Sequence, residues 1–261
     1  MSETLSSRKL DPRAMVAAFH KLNGAVIDGH NNGPEVALLR LRLIAEECAE
    51  TIVAVHKGDV IEVADGLCDL LYVVIGTAVS YALPINLVFH NYGMVPVEVF
   101  STDQFDALAK CANLLFWTAK CAEALDAGNL RIPPTERALV KLGAQLGALA
   151  DAACVAGALW GFPMAELFTE VHRSNMTKTF APDKNMPGGK YGAVNPKGPS
   201  YSPPDIAGIL DRAWKHHSTT ARVHDGGATV SATESVAGPV DVDKPVTVQG
   251  AWQKLQKELE S

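Results

Sequence analysis

Carboxylates recur at helical spacing inside apolar surroundings between Leu41 and Ala82, a stretch that reads LRLIAEECAETIVAVHKGDVIEVADGLCDLLYVVIGTAVSYA. Glu46, Glu47 and Glu50 crowd one side of a first helical pattern, and Glu62, Asp65 and Asp69 follow at spacings of three and four on a second. Leu39, Leu43 and Ile44 lead into the first cluster, and Leu70, Leu71, Val73 and Val74 surround the second. Like charges partly removed from water repel and are costly to desolvate. Acids gathered between two helices therefore call for a counter-charge. A hard divalent cation such as Mg²⁺ supplies one, completing its shell with water and phosphate oxygens. The chemistry expected of such a site is phosphate chemistry. An EExxE run alone is more often a solvated helix face. Here two clusters are joined by the short turn Lys57-Gly58-Asp59, which sets their helices antiparallel.

A second chemical signature lies far downstream, in Glu170-Val171-His172-Arg173-Ser174-Asn175-Met176-Thr177-Lys178. Arg173 offers a planar fork to phosphate oxygens and Lys178 a point charge, while Ser174, Asn175 and Thr177 add neutral hydrogen-bonding groups. A basic helix C-terminus stabilised by the helix dipole has the same composition. The Gly-, Pro- and Lys-rich stretch Ala181–Pro204 follows. It reads either as a surface linker or as a closure over a nucleotide, with Lys190 and Lys197 near phosphate.

The elements that must position these groups are helices. Asp11-Pro12 opens a first one, to about Leu22. A loop over 23–33 contains Asn23, His30 and Asn31, placed to fold over the site. Pro34 starts the long helix to His56, where its missing N–H costs nothing. The next runs from about Asp59 to Ala82, and Pro84 is expected to start a short helix through Phe89. Residues 93–101 break the pattern. Helices resume over about 102–127, stop at Gly128-Asn129, and restart from Thr135 to Trp160, where Gly143, Gly147 and Gly157 suggest close packing. A short helix is expected over 205–216, irregular chain over 218–248, and a small amphipathic helix over 250–260. No strand pattern occurs, so the fold class is all-α, a helical bundle.

An internal echo divides the bundle. Tyr81-Ala82-Leu83-Pro84-Ile85-Asn86-Leu87-Val88-Phe89 resembles Trp160-Gly161-Phe162-Pro163-Met164-Ala165-Glu166-Leu167-Phe168, and Cys48-Ala49-Glu50 matches Cys121-Ala122-Glu123. The organisation expected is a helical half with the acids (11–100), a diverged second half (101–180) in which Ala119 and Lys120 stand opposite Glu46 and Glu47, a loop and short helix (181–216) and a tail (217–261). Two Ala- and Leu-rich hairpins can also look alike through composition.

Composition excludes several classes. With 261 residues, 48% hydrophobic, the chain can bury a sizeable core. A net charge of −6 argues against a nucleic-acid partner. No apolar run is read as a membrane span, and the polar start MSETLSSRKLDPR is not a secretory signal. The five cysteines lack CxxC spacing and lie in helical patterns, as reduced core residues of a cytoplasmic protein do.

The order EExxE, DxxxDLLYVVIGTA, a proline-started segment and EVHRSNMTK resembles the MazG-like all-α NTP pyrophosphohydrolases, in particular the group related to phosphoribosyl-ATP pyrophosphohydrolases and dimeric dUTPases, common in bacteria and phages. FHKL…LRLRLIAEE and GGKY…KGPSYSPPDIAGIL fit the same group. The resemblance covers about 13–92 and 163–210. It implies an all-α NTP pyrophosphatase-type bundle that hydrolyses the α–β bond of a (d)NTP to a (d)NMP and diphosphate with Mg²⁺ or Mn²⁺. Glu47 and Glu50 match the family's first acid pair. The second pair is open: Asp69 fits by its DLLY context, but Gly66 stands three residues before it, leaving Asp65/Asp69 or Glu62/Asp65. The implied metal ligands are Glu47, Glu50, Asp65, Asp69 and Glu62, with Glu46 or Glu47 as general base. Arg173, Asn175 and Lys178 match the phosphate-contacting RSN-x-x-K, and Lys190 is a further substrate contact. The expected partners are a nucleoside triphosphate and a second copy of the chain, unless one chain holds both halves as a pseudo-dimer. A base-selective dUTPase- or dGTPase-type enzyme and a non-catalytic assembly protein are the alternatives.

Overall fold

The first helix starts where its sequence says it must. Asp11 accepts from the Ala14 amide at 3.0 Å, Pro12 occupies the first turn, and Gly24, in the left-handed region, closes the other end of α1 (Pro12–Asn23). The computed structural model describes residues 10–27, 29, 32–85, 87, 89, 104–125, 135–178 and 198–224. Within these, α2 (Pro34–Lys57) and α3 (Val60–Ser80) form a tight hairpin. Gly58, at φ 69°, turns α2 off by returning its N–H to Ala54 and Val55, and Asp59 then caps α3 by accepting from the Glu62 amide.

α4 (Gln104–Leu125) and α5 (Glu136–Leu159) make a second hairpin, α6 (Met164–Asn175) follows Pro163, and α7 (Ile206–His224) comes last. The described residues contain helices and no strand, as an all-α bundle requires. The hairpins face each other with α2 on α4 and α3 on α5, while α1 and α6 also lie against α3. α3 is thus the central rod. Leu67, Leu70, Leu71, Val74, Ile75 and Ala78 are all fully buried there, the pattern of a helix enclosed on every side.

The chain divides into two compact units, Met1–Ala221 and Arg222–Ser261. The first holds both hairpins. Of the second, only 222–224, the end of α7, is described.

Several expectations change. Pro84 starts no helix: 83–85, 87 and 89 carry no regular structure. Ala82 takes a left-handed φ of 56°, Leu83 returns its N–H to Ala78 and is buried, and Ile85, Leu87 and Phe89 pack against the core. Pro163, its counterpart, does precede a helix. The glycines of α5 also divide. A Cβ on Gly157 would meet Met164 Sδ at 2.3 Å, but Gly143 has only ordinary contacts and Gly147 none within 4 Å. The helix expected over 205–216 continues to His224. α5 is long and apolar enough to cross a membrane, contrary to the reading that no run is, yet 56% of its apolar window is buried in the bundle. Core helices pass the same test of length and composition.

Cys48, Cys68, Cys121 and Cys154 are buried free thiols. The breaks at 93–101 and 128–129, His30, Asn31, Lys190, Lys197, the side chain of Cys111, and the tail over 225–261 lie outside the described residues.

Candidate active site on the α2–α3 seam

The acids of α3 sit on a helix that is otherwise core. Its hairpin with α2 is tightest at Gly66, where a Cβ would stand 2.6 Å from Thr51 Oγ1 and 3.2 Å from Thr51 Cα. Thr51 is itself fully buried and donates its hydroxyl to the Glu47 carbonyl at 2.8 Å. A carboxylate cannot occupy position 66 while the two helices lie this close. The acids fall on either side of that contact instead, at Asp65 and Asp69, both half-buried.

From α2, Glu47 enters the same seam half-buried, with Glu50 a turn further on and exposed. Burial pushes the Glu47 carboxyl up to about 8, and the charges of Asp69, Glu50 and Asp65 push the same way, against Lys178. Four acids from two helices and one lysine from beyond the end of α6 therefore share one electrostatic neighbourhood. Among the described residues, no three Asp, Glu, His or Cys side chains are set closely enough, as placed, to hold a metal ion together.

The remaining predicted residues lie at the margin or elsewhere. Glu46 is exposed and pairs with Arg42 at 3.4 Å. Glu62 is exposed in the first turn of α3, and it is not among the charges that act on Glu47. Arg173 donates two hydrogen bonds to the Glu170 carboxylate, at 2.9 and 2.8 Å, and further ones to Ser202 Oγ at 3.0 Å and the Pro203 carbonyl at 2.8 Å. The Glu170 carboxylate also accepts the Asp205 amide, and Thr177 Oγ1 accepts the Ser202 amide. Arg173 thus fastens 200–205 to α6. Asn175 is buried at the end of α6, and only Lys178 of the basic pair reaches the acids. Asn23 donates to the Phe19 carbonyl within α1.

Tyr72 and His172 were not singled out by the sequence reading. Tyr72 follows Asp69 by three residues on α3, and its hydroxyl lies 2.9 Å from His172 Nδ1 on α6. The helical offset from Asp69 was legible; the partner 100 residues away was not.

The phosphoribosyl-ATP pyrophosphohydrolase family matches residues 28–93, a span that contains α2, α3 and every acid of the seam. That stretch is a phosphoribosyl-ATP pyrophosphohydrolase domain. It belongs to the MazG-like all-α NTP pyrophosphatase superfamily, which agrees with the resemblance read from the sequence. At the level of the family, the domain is of the pyrophosphohydrolase kind. The domain match takes in about a quarter of the chain and leaves α4–α7 outside. An uncharacterized protein of Acanthamoeba polyphaga mimivirus is 28% identical over 161 residues, covering 57% of this chain. The chain spans 61% of that relative's length. No solved structure matches the chain.

Proposed function

We propose that the protein is a Mg²⁺- or Mn²⁺-dependent nucleoside triphosphate pyrophosphohydrolase, converting a (d)NTP and water to the (d)NMP and diphosphate in cytoplasmic nucleotide-pool control. The observation that carries this reading is the crowding of Glu50, Asp65 and Asp69 on half-buried Glu47, with Lys178 beside them. Acids that repel one another into holding protons gain most when a cation displaces those protons. The donors are all carboxylate oxygens, the set that suits Mg²⁺ and Mn²⁺ and not zinc. Glu47, Glu50, Asp65 and Asp69 would hold the ion, and the long glutamate side chains of α2 have the rotamers to turn inward for it. Glu62 and Glu46 lie at the rim.

A bound divalent ion supplies charge stabilisation to phosphoryl oxygens and acidifies a water. The chain's own groups do the rest. A Glu47 oxygen that the ion does not engage, or Glu46 at the rim, would take the proton from the attacking water. Lys178 offsets charge on the departing diphosphate. Arg173 and Glu170 fix the segment 200–205 beside the end of α6 and so hold Lys178 in place. Both hairpins in one chain make an intrachain pseudo-dimer with one acid site.

Diphosphate release from a panel of (d)NTPs with Mg²⁺ or Mn²⁺ tests the reading, wild type against Glu50→Gln. The expected result is wild-type turnover, and at least a roughly hundredfold loss in the variant with its helical content kept. Unchanged activity in Glu50→Gln refutes the metal assignment. No turnover with any nucleotide in either protein leaves a non-catalytic assembly protein. The panel also separates a general enzyme from a dUTP- or dGTP-selective one.

A further inference from the structure

Beside the acids, one helical turn along α3, lies a wall of aromatic rings. Phe19 of α1 meets Tyr72 edge-on at 5.4 Å, Phe168 of α6 lies 5.7 Å from Tyr72, and the His172 ring stacks on Tyr72 with centroids 6.0 Å apart and planes 26° apart. Tyr72 is 6% exposed and its hydroxyl has His172 Nδ1 as its hydrogen-bond partner. A buried hydroxyl proton needs an acceptor, and the ring nitrogen is the one within reach. Tyr72 therefore donates and Nδ1 accepts, which places the imidazole proton on Nε2. Burial lowers the affinity of His172 for a second proton, and burial together with the Asp69 charge keeps the Tyr72 proton on oxygen. The pair stays neutral. His172 is half-buried, and among the described residues its hydrogen bond runs through Nδ1, not Nε2.

We infer that His172, fixed as the Nε2–H tautomer by the Tyr72 hydroxyl, is a specificity-determining donor to an acceptor on the nucleoside part of the substrate. The inference rests on the pyrophosphohydrolase reading, since the acids one turn away would hold the triphosphate. A phosphate oxygen is best met by a charged donor, and Lys178 is the cation whose charge acts on Glu47. A neutral N–H on an aromatic shelf suits a base carbonyl, a ring nitrogen or a sugar hydroxyl instead. A site built to give one hydrogen bond rejects ligands without the matching acceptor.

Two substitutions separate the two nitrogens. Asparagine at 172 can keep an acceptor near the Nδ1 position and loses the outer donor; glutamine can keep a donor near Nε2 and loses the Tyr72 acceptor. Binding is read calorimetrically with Mg²⁺, using α,β-imido deoxynucleoside triphosphates of each base, and tripolyphosphate as the phosphate-only probe. His172→Asn is expected to weaken the best-bound nucleotide about five- to tenfold, the worth of one neutral hydrogen bond. Tripolyphosphate binding is expected to stay within about twofold, and His172→Gln to recover most of the nucleotide loss. Nitrogen NMR of the wild-type imidazole is expected to show the Nε2–H tautomer, a readout that needs no variant to fold. The inference is overturned by the opposite tautomer, by wild-type affinities in His172→Asn, by equal losses for nucleotides and tripolyphosphate, or by no nucleotide binding in the wild type. Nucleotide binding with the expected contrast but no diphosphate release would instead sink the hydrolase reading and leave this donor in place.

Discussion

Glu47→Gln is expected to make the metal-free protein more stable and the enzyme inactive. The Glu47 carboxyl is pushed from its ordinary 4.5 up to about 8, first by burial and then by Asp69, Glu50 and Asp65. Between those values the folded chain holds a proton that the unfolded chain releases, so stability falls as pH rises through this window and is fully present only below the lower value. At pH 7 linkage sets the cost at about 3 kcal/mol, and at pH 5 at under about 1 kcal/mol. Glutamine fills the same volume with a neutral amide and carries no such cost, although its own burial returns part of the gain. The expected gain at pH 7 is about 1–3 kcal/mol, which for a chain of this size moves the melting midpoint on the order of 3–10 °C. The assay is thermal unfolding by circular dichroism in chelator, wild type against variant, at pH 7 and pH 5. Mg²⁺ or Mn²⁺ added back is expected to raise the wild-type midpoint and to leave the variant nearly unmoved. A variant no more stable than wild type at pH 7, or a gain that does not shrink at pH 5, refutes the claim that repulsion and burial meet at Glu47.

The buried His20 has the opposite slope. Burial and the neighbouring Arg40 lower it from 6.5 to about 4, so stability is fully present above the upper value and falls by up to about 3 kcal/mol as pH drops through that window. Because this slope opposes that of Glu47, the check is urea unfolding of wild type minus His20→Asn from pH 4 to 7, and a flat difference refutes it. Gly66→Ala is expected to cost about 1–3 kcal/mol by forcing α2 from α3, whereas Gly147→Ala, with no neighbour within 4 Å, is expected to gain about 0.5–1 kcal/mol from helix propensity; equal denaturation midpoints for the two refute the close approach. Arg173→Lys cannot reproduce the bidentate hydrogen bonding to Glu170 and is expected to speed hydrogen exchange at the Ser202 and Asp205 amides, with helical content unchanged. Unchanged protection of those amides overturns the fastening role.

What was legible in the sequence was legible locally. Helix ends at Asp11, Gly24, Gly58 and Asp59 follow from capping chemistry, which acts within four residues. The acid spacing followed from the helical repeat. Gly66 was visible as a gap in the expected acid pair, but its cause, the Thr51 backbone across the hairpin, is a contact between helices that periodicity does not encode. The partners of Arg173 were hidden for a related reason. A guanidinium after a run of helix reads as a phosphate contact until the partners Glu170, Ser202 and Pro203 are seen around it. The proline at 84 misled because proline is equally at home starting a helix and in irregular chain, and the core contacts of Leu83, Ile85, Leu87 and Phe89 are long-range.

That last difference bears on how a single site arises from two similar hairpins. After the second hairpin the chain coils into α6, which packs on α3. Phe89, beyond the first hairpin, meets Phe168 of α6 at 5.7 Å, so the two segments that correspond in sequence touch. The consequence is chemical. The acids come from 34–80, while the lysine beside Glu47 and the imidazole on Tyr72 come from 164–178. Positions 90–94, His-Asn-Tyr-Gly-Met, carry no basic pair to match Arg173 and Lys178. The α2–α3 hairpin brings the carboxylates, α6 and the residues just beyond it bring the imidazole and the lysine, and neither part alone assembles this constellation.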